Sequence, residues 1–109
     1  MLVNMNTSSP RSAALSATAV VTQLTKLNGD AAQGWRLIEG ALEKRFEFAN
    51  FHETMAFVNA VAWIAHREDH HPDLLVSYGH CTVRYSSHDV AGISDRDFLC
   101  ASAVDALQA

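Results

Sequence analysis

The chain has 109 residues, of which 49% are apolar and 18% are charged, a composition typical of a globular protein and too apolar for a disordered one. A chain of this length has room for one domain. Eight Lys and Arg against twelve Asp and Glu give a formal charge of -4, without a basic run that could neutralise a phosphate backbone. These counts argue against direct binding of nucleic acid.

Residues 1–12 are rich in Ser, Asn and Thr, which predicts a flexible N-terminal tail ahead of a single domain at 13–109. The tail contains no apolar core of the length that a signal peptide needs, and no stretch of the chain is long enough to span a bilayer. Cys81 and Cys100 are only two thiols, which favours packed cysteines in a reducing compartment over a disulfide framework. We therefore expect a cytoplasmic protein that does not associate with a membrane.

The first half of the domain predicts a helix followed by a hairpin. Ser16 can cap a helix over 16–28, whose apolar side chains recur at helical spacing until Asn28-Gly29 ends it. Residues 35–38 and 42–48 are two strand-like runs, and the second alternates apolar with charged side chains. That alternation is typical of a strand with one buried face.

Asn50 can cap a longer helix over 51–68 that has a wide apolar face. Its central stripe consists of Phe51, Met55, Val58, Ala62 and Ala65, and Phe57, Val61 and Ile64 widen the stripe. The width predicts burial against more than one neighbour. Trp63 falls on the opposite face of the helix, where it either packs under a loop or anchors a contact between subunits.

The second half predicts a turn, two strands and a third helix. Pro72 disfavours helical backbone at His71, so residues 69–72 should form the turn that leaves the second helix. Strands are expected over 74–78 and 81–85, with Gly79-His80 as the turn between them. The third helix begins at Ser94-Asp95-Arg96-Asp97, which resembles a capping box, and its apolar positions are Leu99, Cys100, Ala103 and Leu107. The order α-β-β-α-β-β-α predicts an α+β fold of two layers, with short antiparallel strands covered on one face by helices.

Histidine is abundant, with six copies, and three of them, His70, His71 and His88, lie in expected loops. Loops that are held by a rigid scaffold are where binding and catalytic sites are usually built. Because imidazole has an unperturbed pKa of about 6.5, it can both give and take a proton near neutral pH. The pair that precedes Pro72 is therefore the strongest candidate for chemistry in this chain.

Several motifs resemble one known family. They are His66-Arg67-Glu68-Asp69-His70-His71-Pro72, Tyr78, Ser86-Ser87-His88, Ala91-Gly92-Ile93-Ser94 and Asp97. At this spacing they resemble the signature of the pterin-4a-carbinolamine dehydratases, and the resemblance extends from Leu15-Ser16 to the third helix. It implies a four-stranded antiparallel sheet covered on one face by three helices, a homodimer or homotetramer, and no metal or organic cofactor.

The resemblance also implies the reaction and the residues of the site. The family's active-site histidines correspond to His70, His71 and His88, and its substrate-contacting segments correspond to residues 69–72 and 86–89. The substrate-binding set expected here is thus Asp69, His70, His71, Pro72, Ser86, Ser87, His88 and Asp89. The expected reaction is dehydration of 4a-hydroxytetrahydrobiopterin in tetrahydrobiopterin recycling, downstream of an aromatic amino acid hydroxylase. Loss of water from this compound needs a general acid and a general base, and we assign these roles to His70 and His88, with His71 orienting the pterin.

Three other interpretations are possible. His66 and His70 are spaced as two metal ligands on a helix can be, although the run is not His-Glu-x-x-His and no second cluster matches it. Some relatives of the family serve as dimerisation cofactors of a transcription factor or as assembly factors of a carbon-fixing enzyme, which would make this chain a non-catalytic binding module. A small α+β domain with another role is the third. The presence of all three histidines favours the enzyme.

Overall fold

The computed structural model describes residues 13–87 and 92–108. The expected tail at residues 1–12 lies outside the described residues, and so do His88 and Asp89. The elements follow the predicted order α-β-β-α-β-β-α. They are α1 (Ala17–Asn28), β1 (Arg36–Ile38), β2 (Ala41–Glu47), α2 (Phe51–Glu68), β3 (Asp73–Val76), β4 (His80–Tyr85) and α3 (Asp95–Ala106). The predicted α+β class is confirmed.

The four strands form one antiparallel sheet in the order β1-β2-β4-β3. Strands β1 and β2 form one hairpin, and strands β3 and β4 form the other. The two hairpins join through β2 and β4, where Leu42 lies opposite Tyr85 and Phe46 lies opposite Cys81. Along β4 every second side chain is buried, because one face of the sheet carries the helices. Tyr85, the last residue of β4, is therefore fully buried beneath the helical layer.

The core lies between this sheet face and the helices. The sheet contributes Leu42, Phe46, Cys81, Val83 and Tyr85, and the helices contribute Val20, Phe57, Val61, Ile64, Phe98, Cys100, Ala101 and Val104. Helices α1 and α2 both contact α3. Burial of this apolar set is the main favourable term for folding, at about 25 cal/mol for each Å² removed from water. Both cysteines are buried and free, as expected.

Three polar side chains cap the helices as the sequence predicted. Ser16 accepts a hydrogen bond from the N–H of Ala19, and Asn50 accepts one from the N–H of Glu53. Ser94 caps α3 in a full capping box, in which the Asp97 side chain also accepts the N–H of Ser94. Since each cap satisfies N–H groups that have no partner within the helix, it fixes where the helix begins.

The buried faces of two helices differ from the predicted ones. In α2 the buried side chains are Thr54, Phe57, Val61, Ile64 and Ala65, whereas Phe51 and Ala62 are exposed. In α3 they are Asp97, Phe98, Cys100, Ala101 and Val104, whereas Leu99 and Leu107 are exposed. The reason is the same in both helices. A polar residue, Thr54 or Asp97, lies in the buried stripe because it hydrogen-bonds there, and a pattern of apolar residues alone cannot include it.

The hairpin of β3 and β4 turns one residue earlier than expected. The N–H of Ser77 donates to the carbonyl of His80 at 2.9 Å, so Tyr78 and Gly79 form the turn and β3 ends at Val76. The carbonyl of Tyr78 accepts from the Thr54 hydroxyl, which holds this turn against α2. Tyr78 was expected in the strand but is exposed, and its ring stacks on that of Phe51 at 6.5 Å.

Candidate active site

The end of α2 delivers His70 to the interior of the domain. Asp69 follows the helix with left-handed backbone (φ 51°, ψ 44°), a conformation that Asp tolerates better than most residues. The N–H of His70 then donates to the carbonyl of Ala65 at 3.1 Å. This hydrogen bond closes the helix end, and the His70 side chain is left only 12% exposed. The predicted turn at the end of the second helix is therefore present.

A buried carboxylate holds one edge of the His70 imidazole. Nε2 of His70 lies 2.6 Å from Oδ1 of Asp97, which is fully buried in the first turn of α3. The other oxygen of Asp97, Oδ2, accepts from the Ser87 hydroxyl at 2.8 Å and from the N–H of Ser94 at 2.9 Å. Because Oδ2 accepts from these donors, we assign Asp97 as ionised and Nε2 of His70 as the protonated nitrogen. Nδ1 is then the ring nitrogen that this pair does not use.

Ser87 connects the end of β4 to the same carboxylate. Its side chain is buried, and its Oγ also lies 2.6 Å from Oγ of Ser94. The backbones of Ser87 and Gly92 pair with each other, so the chain positions on either side of residues 88–91 are held together. His70, Asp97, Ser87 and Ser94 thus form one hydrogen-bonded group, which we call the Asp97 network. It joins α2, α3 and the end of β4.

The face of the His70 imidazole lies against Tyr85. The two ring centroids are 5.7 Å apart and the planes differ by 12°. Burial, followed by the charges of Cys100 and Asp97, raises the pKa of Tyr85 above its ordinary value, so the phenol stays neutral. The imidazole therefore has a carboxylate at its edge and a neutral aromatic ring on its face.

Arg96 supports the turn from outside the network. Its Nη2 donates to the carbonyls of Glu68 and Asp69, at 2.5 and 2.8 Å. The last carbonyls of a helix have no hydrogen-bond partner within the helix, and a cation there also interacts favourably with the negative end of the helix dipole. Arg96 therefore links the end of α2 to the start of α3, close to the two residues that form the His70–Asp97 pair.

The expected site residues have different surroundings. His70 and Ser87 are in the Asp97 network, and the Ser87 hydroxyl bonds to Asp97 and Ser94 inside the protein. Asp69 and His71 are exposed, and Pro72 and Ser86 are half-buried. His88 and Asp89 lie outside the described residues.

Two neighbours of His70 were not assigned a role from the sequence. Asp97 was recognised as part of a motif and of a capping box, and that local signal places it at the start of α3 but does not connect it to His70. Tyr85 was recognised as an apolar position of a strand. Both contacts are long-range, because the partners of His70 are 27 and 15 positions away in the sequence.

The metal hypothesis gains no support from the described part of the chain. Nε2 of His70 is bonded to Asp97, while His66 is exposed and its ring packs on Trp63 at 5.6 Å. Within residues 13–87 and 92–108, no three His, Cys, Asp or Glu side chains are grouped closely enough to hold a metal ion.

Across the same residues, every helix is too short or too polar to cross a membrane.

Solved structures with a similar fold include two that bear on function. A transcriptional coactivator/pterin dehydratase from Brucella melitensis superposes with a TM-score of 0.80 at 23% identity, over 88% of this chain and 99% of that one. A pterin dehydratase-like protein identified as a RuBisCO assembly factor in the alpha-carboxysome superposes with a TM-score of 0.60 at 24% identity, over 70% and 90% of the two chains. At these identities the two structures show a shared fold and no more.

Relatives with higher identity carry pterin-4-alpha-carbinolamine dehydratase as a provisional name. One from Nitrosomonas europaea is 50% identical over 82 residues, which are 75% of this chain and 73% of that protein. Another from Stenotrophomonas maltophilia is 59% identical over 76 residues, 68% of this chain and 66% of that protein. The family model described as pterin 4 alpha carbinolamine dehydratase matches residues 13–107. The chain therefore belongs to the pterin-4-alpha-carbinolamine dehydratase family, as its motifs predicted, and the expected enzyme class, a pterin dehydratase, is confirmed at the level of the family.

Proposed function

We propose that the protein is a lyase that dehydrates 4a-hydroxytetrahydrobiopterin to quinonoid dihydrobiopterin and water. The observation that supports this most directly is the pair of His70 and the buried Asp97, at 2.6 Å. A histidine held by an ionised carboxylate at one nitrogen can exchange a proton through the other, which is the requirement for general acid or base catalysis. The family membership supplies the substrate class, and the pair supplies a group suited to the chemistry.

The reaction needs two proton transfers and no redox step. N5 of the pterin loses its proton to a base, the C4a–O bond breaks as the N5–C4a double bond forms, and the leaving hydroxyl takes a proton from an acid to become water. In our proposal His70 acts at Nδ1 as one of these groups and His88 acts as the other. When His70 carries a second proton, the Asp97 carboxylate offsets the added positive charge.

The substrate is proposed to lie along two segments, residues 69–72 and 86–89. His71, which is exposed beside His70, is proposed to bind and orient the pterin. Ser86, Asp69, Pro72 and Asp89 are proposed to contribute further contacts. Ser87 is proposed to support the site through Asp97, because its hydroxyl is buried and its backbone N–H and carbonyl are paired with Gly92.

The setting of the reaction is also a proposal. We place the protein in the cytoplasm, in tetrahydrobiopterin recycling, with an aromatic amino acid hydroxylase as the source of its substrate. We further propose a homodimer or homotetramer, because α2 exposes Trp63 and Phe51, at 63% and 48% of their surface. Large exposed aromatic side chains are enriched where proteins associate.

A binding module on the same fold is the alternative. The two structural neighbours include a transcriptional coactivator and a RuBisCO assembly factor, so the fold itself does not require catalysis. The deciding experiment is a dehydration assay, in which synthetic or enzymatically generated 4a-hydroxytetrahydropterin is followed in the ultraviolet. Turnover above the uncatalysed rate that is lost in His70→Ala supports the enzyme. If the wild-type protein shows no turnover, the binding module is the interpretation that remains.

A further inference from the structure

The ring of Tyr85 stacks on the imidazole of His70. The two rings are nearly parallel, with centroids 5.7 Å apart and planes that differ by 12°, which is an offset-stacked arrangement. The hydrogen bond from Nε2 to Asp97 fixes one edge of the imidazole but still allows the ring to tilt about that bond. A flat contact on the face of the ring removes this remaining freedom.

Tyr85 is itself held rigidly. Its backbone pairs with Leu42 where β2 and β4 join the two hairpins, and its side chain is fully buried. The indole of Trp35 packs on it with ring centroids 6.3 Å apart. Because strand, ring and neighbour all belong to the packed core, Tyr85 offers His70 a support that does not move.

The role that we consider for Tyr85 lies in its aromatic ring and not in its hydroxyl. The hydroxyl is buried, and among the described residues it has no hydrogen-bond partner. The shift described for this phenol keeps it neutral, so it neither gives nor takes a proton near neutral pH. What remains useful is the aromatic face that contacts His70.

We infer that Tyr85 is a positioning residue for the dehydration, which acts through the face of its ring by holding the His70 imidazole in the plane from which Nδ1 reaches the substrate. This inference rests on the proposed function for its effect on turnover. It does not rest on it for the geometry, since the stacking of the two rings can be measured without substrate.

The kinetic test compares three variants. Tyr85→Phe keeps the ring and removes the hydroxyl, and Tyr85→Leu removes the ring. Phe46→Leu is the matched control, because it removes another buried core aromatic, one that packs on Trp35 and Phe57. We expect Tyr85→Phe to retain wild-type kcat and Tyr85→Leu to lose about ten- to a hundredfold in kcat with little change in KM, as small misplacements of a catalytic group do. Phe46→Leu should keep kcat when assayed well below its unfolding temperature.

The spectroscopic test needs no turnover. The ring protons of His70 should resonate upfield in the wild type and in Tyr85→Phe, since in both proteins the imidazole stacks on an aromatic ring. In Tyr85→Leu they should move towards the positions of an unstacked histidine. Assignment of the His70 signals is checked with His70→Ala, and Tyr85→Met replaces Tyr85→Leu if the smaller side chain prevents folding.

Three results overturn the inference: a Tyr85→Leu enzyme as fast as Tyr85→Phe, a loss of kcat in Phe46→Leu equal to that in Tyr85→Leu, or wild-type His70 protons without the upfield shift. Failure of the proposed function has a different signature. In that case the wild type has no dehydration activity while the upfield shift of His70 and its loss in Tyr85→Leu are still observed.

Discussion

Nε2 of His70 lies 2.6 Å from Oδ1 of Asp97, although 27 positions of sequence separate the two residues. The carboxylate is fully buried and its other oxygen is occupied by Ser87 and Ser94. A buried charge is tolerated only when its lone pairs are used, so His70 completes the set of partners that Asp97 needs. We therefore expect substitutions at this pair to change both the proposed catalysis and the stability of the fold.

Asp97→Asn tests that expectation. We expect kcat to fall by about 10² or more, because an amide in place of the carboxylate no longer compensates the protonated imidazole or selects its tautomer. Unfolding in urea should also show a loss of about 1–3 kcal/mol from the disturbed buried network. Asp95→Asn is the control, since it changes an exposed carboxylate in the same helical turn, and it should leave kcat unchanged. Wild-type turnover in Asp97→Asn would contradict the proposed role of the pair.

The three histidines should differ in their kinetic effects. His70→Ala and His88→Ala should each lower kcat by about 10² or more, the usual scale for losing a general acid or base. His71→Ala should act mainly through KM, because it removes binding that is equal in the ground and transition states. His66→Ala, on the exposed side of α2, is the control and should behave as the wild type.

The same variants should differ in stability. His70→Ala leaves Oδ1 of Asp97 without its partner, so it should lower the free energy of unfolding by about 1–3 kcal/mol. His71 is exposed, and His71→Ala should therefore unfold at the wild-type urea concentration. If His70→Ala and His88→Ala both keep wild-type turnover, the catalytic assignment is wrong.

Arg96 should act on His70 through the backbone. Arg96→Ala removes the donor to the carbonyls of Glu68 and Asp69, and we expect it to destabilise the fold by about 1–3 kcal/mol, the scale for hydrogen bonds from a charged group. A looser turn should also lower kcat severalfold. Arg67→Ala is the control, because it removes an exposed ion pair with Glu68, a contact worth about 0–1 kcal/mol. Equal losses of stability in the two variants would refute the role of Arg96.

The Cys100 thiol should make the free energy of unfolding depend on pH in the alkaline range. Burial raises the pKa of this thiol from 9.0 to about 11, and the charges of Glu68 and Asp97 act in the same direction. Between these two values the unfolded chain releases the proton while the folded protein keeps it, so stability falls as pH rises, by about 1.4 kcal/mol per pH unit. Urea unfolding at a series of pH values should show a shallower decline in Cys100→Ala. Identical slopes in the two proteins would rule out this source of the decline.

The exposed face of α2 should carry the contact between subunits. We expect sedimentation at micromolar concentration to show a homo-oligomer that buries at least about 1,000 Å² per interface, and Trp63→Ser to weaken it. Leu75→Ser is the control, because it changes a side chain of similar exposure on β3. If the wild-type protein is a monomer at this concentration, the proposed contact between subunits is wrong.

Local signals in the sequence were enough to predict the elements, their order and most of their ends. Ser16, Asn50 and Ser94 were predicted as caps and all three accept the expected N–H groups. Such signals can be recognised from the sequence because the interacting groups are two or three residues apart. The motifs around His70 and His71 likewise identified the family, since they depend on residue types at fixed spacing.

The choice of buried faces and the surroundings of His70 depend on tertiary packing. Phe98 and Val104 face the core where Leu99 and Leu107 were expected, and the buried face of α3 also includes Asp97, which is hydrogen-bonded there. The partners of His70 come from β4 and from α3, and each is brought to it by the joining of the two hairpins and by the contact of α2 with α3. A hydrogen bond of 2.6 Å across 27 residues depends on the sum of these packing contacts, and no local pattern encodes that sum.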